Sequence, residues 1–158
     1  MFEPYNILFI TITMSISTIL SKYPIKITPN SGLDIIGRAN NIYQVLTHII
    51  FAYQVITLKD NDTIYGGHDK QQLTEFVIAS AIDYYGWITI FSRIRKPSYT
   101  AKILANTHIA TIIMAIIDFE TFQTLYIRAT DERFLTITRA TFLLTDSLVR
   151  GYYQFVVL

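Results

Sequence analysis

Marking the charged positions along the chain divides it into apolar segments of nearly equal length. Between Glu3 and Lys22 no charge occurs, and YNILFITITMSISTIL (Tyr5 to Leu20) is the apolar heart of that stretch. Between Arg38 and Lys59 lie twenty uncharged residues, ANNIYQVLTHIIFAYQVITL, about the number a helix needs to cross roughly 30 Å of hydrocarbon. FVIASAIDYYGWITIFS follows between Glu75 and Arg93 and is interrupted by Asp83. ILANTHIATIIMAII, between Lys102 and Asp118, is short for a span unless its ends snorkel, and Phe134 to Leu158 carries Arg139, Asp146 and Arg150. The pattern predicts an all-α fold, a multi-span transmembrane helical bundle of about five spans (four to six), near 5–21, 40–58, 76–92, 103–118 and 134–155 of one multi-pass membrane domain over 1–158. Strands would need period-two alternation, which the runs lack. A soluble bundle would need charged outer faces, and the second segment has none.

The loops orient the spans. The first (Ser21 to Arg38) carries Lys22, Lys26 and Arg38, and the third (Arg93 to Lys102) carries Arg93, Arg95, Lys96 and Lys102. The second and fourth loops are acidic. Because positive loops stay cytoplasmic, the expected topology is N-terminus out, first and third loops in, C-terminus in. The sequon Asn61-Asp62-Thr63 then falls in an outer loop. No Lys or Arg precedes the first segment and no A-x-A-like site follows it, so it is expected to be a retained span rather than a signal peptide.

Composition strengthens this picture. Charged residues are 16% of the chain, against roughly 25% in soluble domains, and the mean hydropathy is +0.35. A net charge of +1 gives no basic field for nucleic acid, which is excluded as a partner. The absence of cysteine removes disulfides, thiolate metal sites and Cys nucleophiles.

Function is to be sought among the ionisable residues at depth. Each costs on the order of 3 kcal/mol in hydrocarbon and so needs a partner, a cavity or a pathway. His48 and Asp83 fall near the middles of the second and third segments, and His108 lies about two turns into the fourth. These three are the candidates for a lipid cavity or a polar layer. Asp146 and Arg150, at i and i+4, are expected to form an ion pair on the helix surface at the membrane interface, making a second polar layer with His108. His68 and Asp131-Glu132-Arg133 read as loop. Phosphate-loop, nucleophile-elbow, zincin and dinucleotide signatures are missing, and three widely spaced histidines give no zinc pattern. Neither metal nor cofactor is expected.

Three stretches resemble the TLC domain, the membrane domain shared by ceramide synthases and translocating-chain-associated membrane proteins. These are Arg38-Ala-Asn40-Asn41-Ile-Tyr-Gln-Val-Leu-Thr47-His48, Ala79-Ser80-Ala81-Ile-Asp83-Tyr84-Tyr85 and Asn106-Thr107-His108-Ile-Ala-Thr. The resemblance covers Gly37 to Tyr153 and implies a bundle around a lipid-accessible cavity lined by His48, Asp83 and His108, in the endoplasmic reticulum or another endomembrane. Ceramide synthases use paired histidines for acyl transfer from acyl-CoA. Here the pair is Thr107-His108, so the resemblance implies lipid binding rather than catalysis. Membrane lipid is the expected partner. The alternative is a structural membrane subunit of a respiratory complex, translocon or viral envelope, its aromatics touching other membrane chains. A proton or ion path through His48 and Asp83 ranks last, because five spans alone offer no evident pore.

Overall fold

Isoleucine and threonine favour strands by intrinsic preference, yet the chain folds into helices, because its hydroxyls are satisfied within them. Thr11, Ser15 and Thr18 donate to the carbonyls of Ile7, Thr11 and Met14 at 2.7 to 2.8 Å. Thr47, Thr57, Thr107, Thr111, Thr141 and Thr145 repeat the same i−4 bond. A hydroxyl bonded in this way can sit on an apolar surface without an unmet donor.

The structure, a computed structural model, describes residues 4–23, 25–57, 70–120 and 133–158. Its helices are α1 (Pro4–Lys22), α2 (Gly32–Thr57), α3 (Lys70–Phe91), α4 (Tyr99–Ile117) and α5 (Arg133–Tyr152), the last continued by a π-helical turn, Tyr153–Val157. There is no strand among the described residues. The sequon, His68 and Asp131-Glu132 lie outside them.

Helix starts differ from the predicted spans for local reasons. α2 begins at Gly32 rather than residue 40, because Ser31 and Asp34 form a capping box. Ser31 Oγ accepts from the Asp34 amide at 3.3 Å, and Asp34 Oδ2 accepts from the amide of Asn30, which sits at φ 61°. α4 begins at Tyr99 rather than residue 103, since Ser98 caps it by accepting from the Ala101 amide.

α2 packs antiparallel against both α3 and α5. A methyl group at Gly37 would strike Thr89 and one at Gly86 would strike Asn41, so these glycines set the approach of α2 to α3. On the other side Asn41 bonds Gln154 at 3.3 Å and Val45 meets Gly151. α4 folds back along α3, and the C-terminal end of α1 meets the N-terminal end of α4 around Leu20 and Lys102. The α1–α2 and α3–α4 connections and the end of α5 therefore share one end of the bundle. That end collects Lys22, Lys26, Arg38, Arg93, Arg95, Lys96 and Lys102.

α2 is inverted relative to a helix of a water-soluble bundle. It buries Asp34, Gly37, Asn41, Gln44, Ala52 and Val55, spaced mostly by three or four, and turns Leu33, Ile36, Tyr43, Leu46, Ile50, Tyr53 and Ile56 outward. The apolar core proper lies between α3 and α4, where Trp87, Ile90, Ala101, Leu104 and Ala105 pack with Tyr84, Phe142 and Tyr153. By length and composition one described helix, α4, is long and apolar enough to cross a membrane, with a mean hydropathy of 1.5. The apolar part of α3, Phe76–Phe91, is shorter.

Candidate functional site

The hairpin of α3 and α4 sets the first pair of site residues. Asp83 lies ten residues before Arg93 and His108 ten residues after Ser98, so the two side chains return to the same depth on either side of the turn. Their groups face each other, His108 Nδ1 standing 3.9 Å from Asp83 Oδ2. α5 supplies the other two. Arg150, fully buried, donates from Nη2 to Asp83 Oδ1 at 3.1 Å and to Asp146 Oδ2 at 2.7 Å, and from Nη1 to the Asp83 carbonyl at 3.4 Å.

Asp146 is the hub. Besides Arg150 it accepts from His108 Nε2 at 2.9 Å and, on Oδ1, from Trp87 Nε1 at 2.7 Å. Trp87 is held by stacking on Phe91 and an edge contact with Tyr153, and it seals the cluster from the apolar core. Two carboxylates thus meet one guanidinium and one imidazole. Because Nε2 of His108 donates to Asp146, a second proton on Nδ1 would point at Asp83, and the cluster would then carry no net charge.

The ion pair of Asp146 and Arg150 is in the interior, not on the helix surface where sequence placed it. The two expected polar layers are also one, since Arg150 bridges Asp83 to Asp146. The reason is stereochemical. An i, i+4 pair can face any side of a helix, and Asp146, Ser147, Arg150 and Gln154 all fall on the stripe that α5 buries.

His48 is half-buried and stands outside the ion cluster. It lines a cavity of about 260 Å³ whose wall also includes Gln44, Ser80, Asp83, Thr107, His108, Phe142 and Arg139, the last lying over the ring of Phe76 at 4.2 Å. The three candidates His48, Asp83 and His108 therefore border a single space. The Nδ1 of His48 is buried with no hydrogen-bond partner among the described residues.

Sequence reading missed Trp87, Asn41, Gln44 and Gln154. The signals were present: Asp83 and Trp87 stand at i, i+4, and Asn41, Gln44 and His48 at i, i+3, i+7, one face of a helix in each case.

Ser80, Thr107 and Thr111 on the cavity wall donate to carbonyls of their own helices. Donor atoms of Asp83, His108 and Asp146 lie within 4.8 Å of one another, a spacing open to a metal. The cation that both carboxylates face, however, is the Arg150 guanidinium. Compared with protein-family models, with curated proteins and with solved structures, the chain has no match in any of the three.

Proposed function

We propose that the chain is a multi-span helical membrane protein that holds the polar group of a membrane lipid in the cavity between α2, α3, α4 and α5. This is the lipid-handling role that the resemblance to the TLC domain implies. The observation that carries it is the cavity itself, whose wall brings the polar side chains of His48, Asp83 and His108 to one space. A lipid hydroxyl or headgroup in that space would find polar partners that the surrounding hydrocarbon does not offer.

The membrane setting is supported by α2. Its average hydropathy is lowered by Asn41 and Gln44, and these are buried, so what it offers its surroundings is isoleucine, leucine and tyrosine. The gathering of seven basic residues at one end supports an orientation with that end cytoplasmic. Cysteines introduced singly at the exposed Tyr99 and at Gly67 should label from opposite sides of the membrane. Labelling from the same side would overturn the span arrangement.

Native mass spectrometry from mild detergent tests the lipid role. His48→Ala breaks no bond of the ion cluster, so the variant should stay folded and monomeric while co-purified lipid falls. One hydrogen bond in a bilayer contributes roughly 0.6 to 2 kcal/mol, which is about a three- to thirtyfold loss of affinity. The alternative role, a structural subunit of a larger membrane complex, would have the polar layer bond to neighbouring chains. Here Asp83, His108, Asp146 and Arg150 bond to one another, which favours the cavity. A variant that changed the subunit count and kept its lipid would reverse that preference.

A further inference from the structure

At the basic end of the bundle a second recess, of about 480 Å³, opens between α1, α3 and α4, and it shares no lining residue with the central cavity. Its rim carries Arg95, Lys96 and Lys102, all exposed. None of them has a carboxylate within ion-pair distance among the described residues. Asn106 adds an amide, and no acidic residue lines the space. The floor is apolar, made by Leu20, Tyr84, Phe91 and Ile94. A narrower groove shares Leu20, Tyr84 and Phe91 with it and extends along α3 past Ile88.

We propose that this recess binds an anionic phospholipid, its headgroup phosphate between Arg95, Lys96 and Lys102 and the glycerol end of its acyl chains against the apolar floor of Leu20, Tyr84, Phe91 and Ile94. Unpaired cations over an apolar floor match an amphiphile with a charged head, whereas a free anion gains nothing from the floor. The end of the bundle is also right, since the same basic loops would lie at the cytoplasmic surface, where anionic lipid is met. The inference rests on the membrane reading above and concerns a different site from the central cavity.

The test uses the full chain in nanodiscs of equal parts phosphatidylcholine and phosphatidylglycerol, with native mass spectrometry reading the lipid retained on release. Wild type should retain phosphatidylglycerol in preference, and Arg95→Gln and Lys102→Gln should each lower that preference about fivefold, while Lys102→Arg keeps it. Lys26→Gln, exposed at the same end but lining neither recess, should leave it unchanged, as should excess inorganic phosphate. Equal retention of the two lipids by wild type would overturn the site. So would an equal loss in Lys26→Gln, which would mean diffuse surface charge, or stripping of the lipid by phosphate, which would mean a free-anion site. A chain that fails to enter the nanodisc would overturn this site and the membrane reading together, whereas entry without preference overturns the site alone.

Discussion

Arg150→Ala should leave little folded protein. The guanidinium is fully buried and is the link between Asp83 and Asp146, so its removal strands two carboxylates facing one imidazole in the interior. Breaking a buried ion pair by deleting one partner costs about 3 to 5 kcal/mol, a large part of the roughly 5 to 15 kcal/mol that holds a domain together. Thermal unfolding of the purified protein in mild detergent should show a sharply lower midpoint, or no monodisperse protein should be recovered. Arg150→Lys should rescue little, because one ammonium cannot reach both carboxylates and the Asp83 carbonyl in the forked geometry that Arg150 uses. Replacing Asp83, Asp146 and Arg150 together by Leu, Leu and Met should recover only part of the loss, since the apolar substitutes remove the stranded charges but leave Trp87 Nε1 and His108 Nε2 without their acceptor. A wild-type midpoint in Arg150→Ala alone would mean that Asp83 and Asp146 find other partners and that the guanidinium is not what holds them together.

How much of this was legible in the sequence differs between the spans and the site. Segment positions follow from where charges are absent: a helix lies on each predicted segment, with its C-terminal end within one to three residues of that expected. The starts were misplaced where capping decided them: the Ser31-Gly-Leu-Asp34 box adds two turns to α2 that a charge-to-charge reading assigns to a loop. Asp83 and His108 could be set at one depth by counting residues back from the turn between Arg93 and Ser98. The partnership of Arg150 with Asp83 could not, because it depends on which stripe α5 turns inward, and nothing in the spacing of Asp146 and Arg150 alone distinguishes an inward pair from a surface one. Averages concealed α2 in a similar way. Its polar residues lower the mean, while their positions at 41, 44 and 48 put them on one inward face.

The two glycines between α2 and α3 give the second large effect, and they separate close packing from mere helix propensity. A methyl group at Gly86 would collide with Asn41 Oδ1 and come within 2.9 Å of an Arg150 guanidinium nitrogen. Gly86→Ala must therefore turn the Asn41 amide aside, at the cost of its bond to Gln154, push α2 away from α3 or move the guanidinium off its carboxylates. Alanine is the better helix former by about 0.5 to 1 kcal/mol, so propensity alone predicts a gain. Overpacking costs about 1 to 3 kcal/mol, and displacement of Arg150 adds part of the ion-cluster loss, so the net expectation is a clear destabilisation. Gly37→Ala should destabilise at least as much, since the Cβ and Cγ2 of Thr89 that it meets belong to a stiff β-branched side chain and give way only if the helices part. Gly32→Ala, at the first turn of α2 with nothing within 4 Å of the added carbon, should instead be neutral or stabilise by up to about 1 kcal/mol. Unfolding midpoints in the same detergent should thus fall for Gly86→Ala and for Gly37→Ala, and hold or rise for Gly32→Ala. If all three rose together, α2 and α3 would not approach as closely as the contact of Gly86 with Asn41 requires, and the seat of Arg150 between the carboxylates would have to be redrawn.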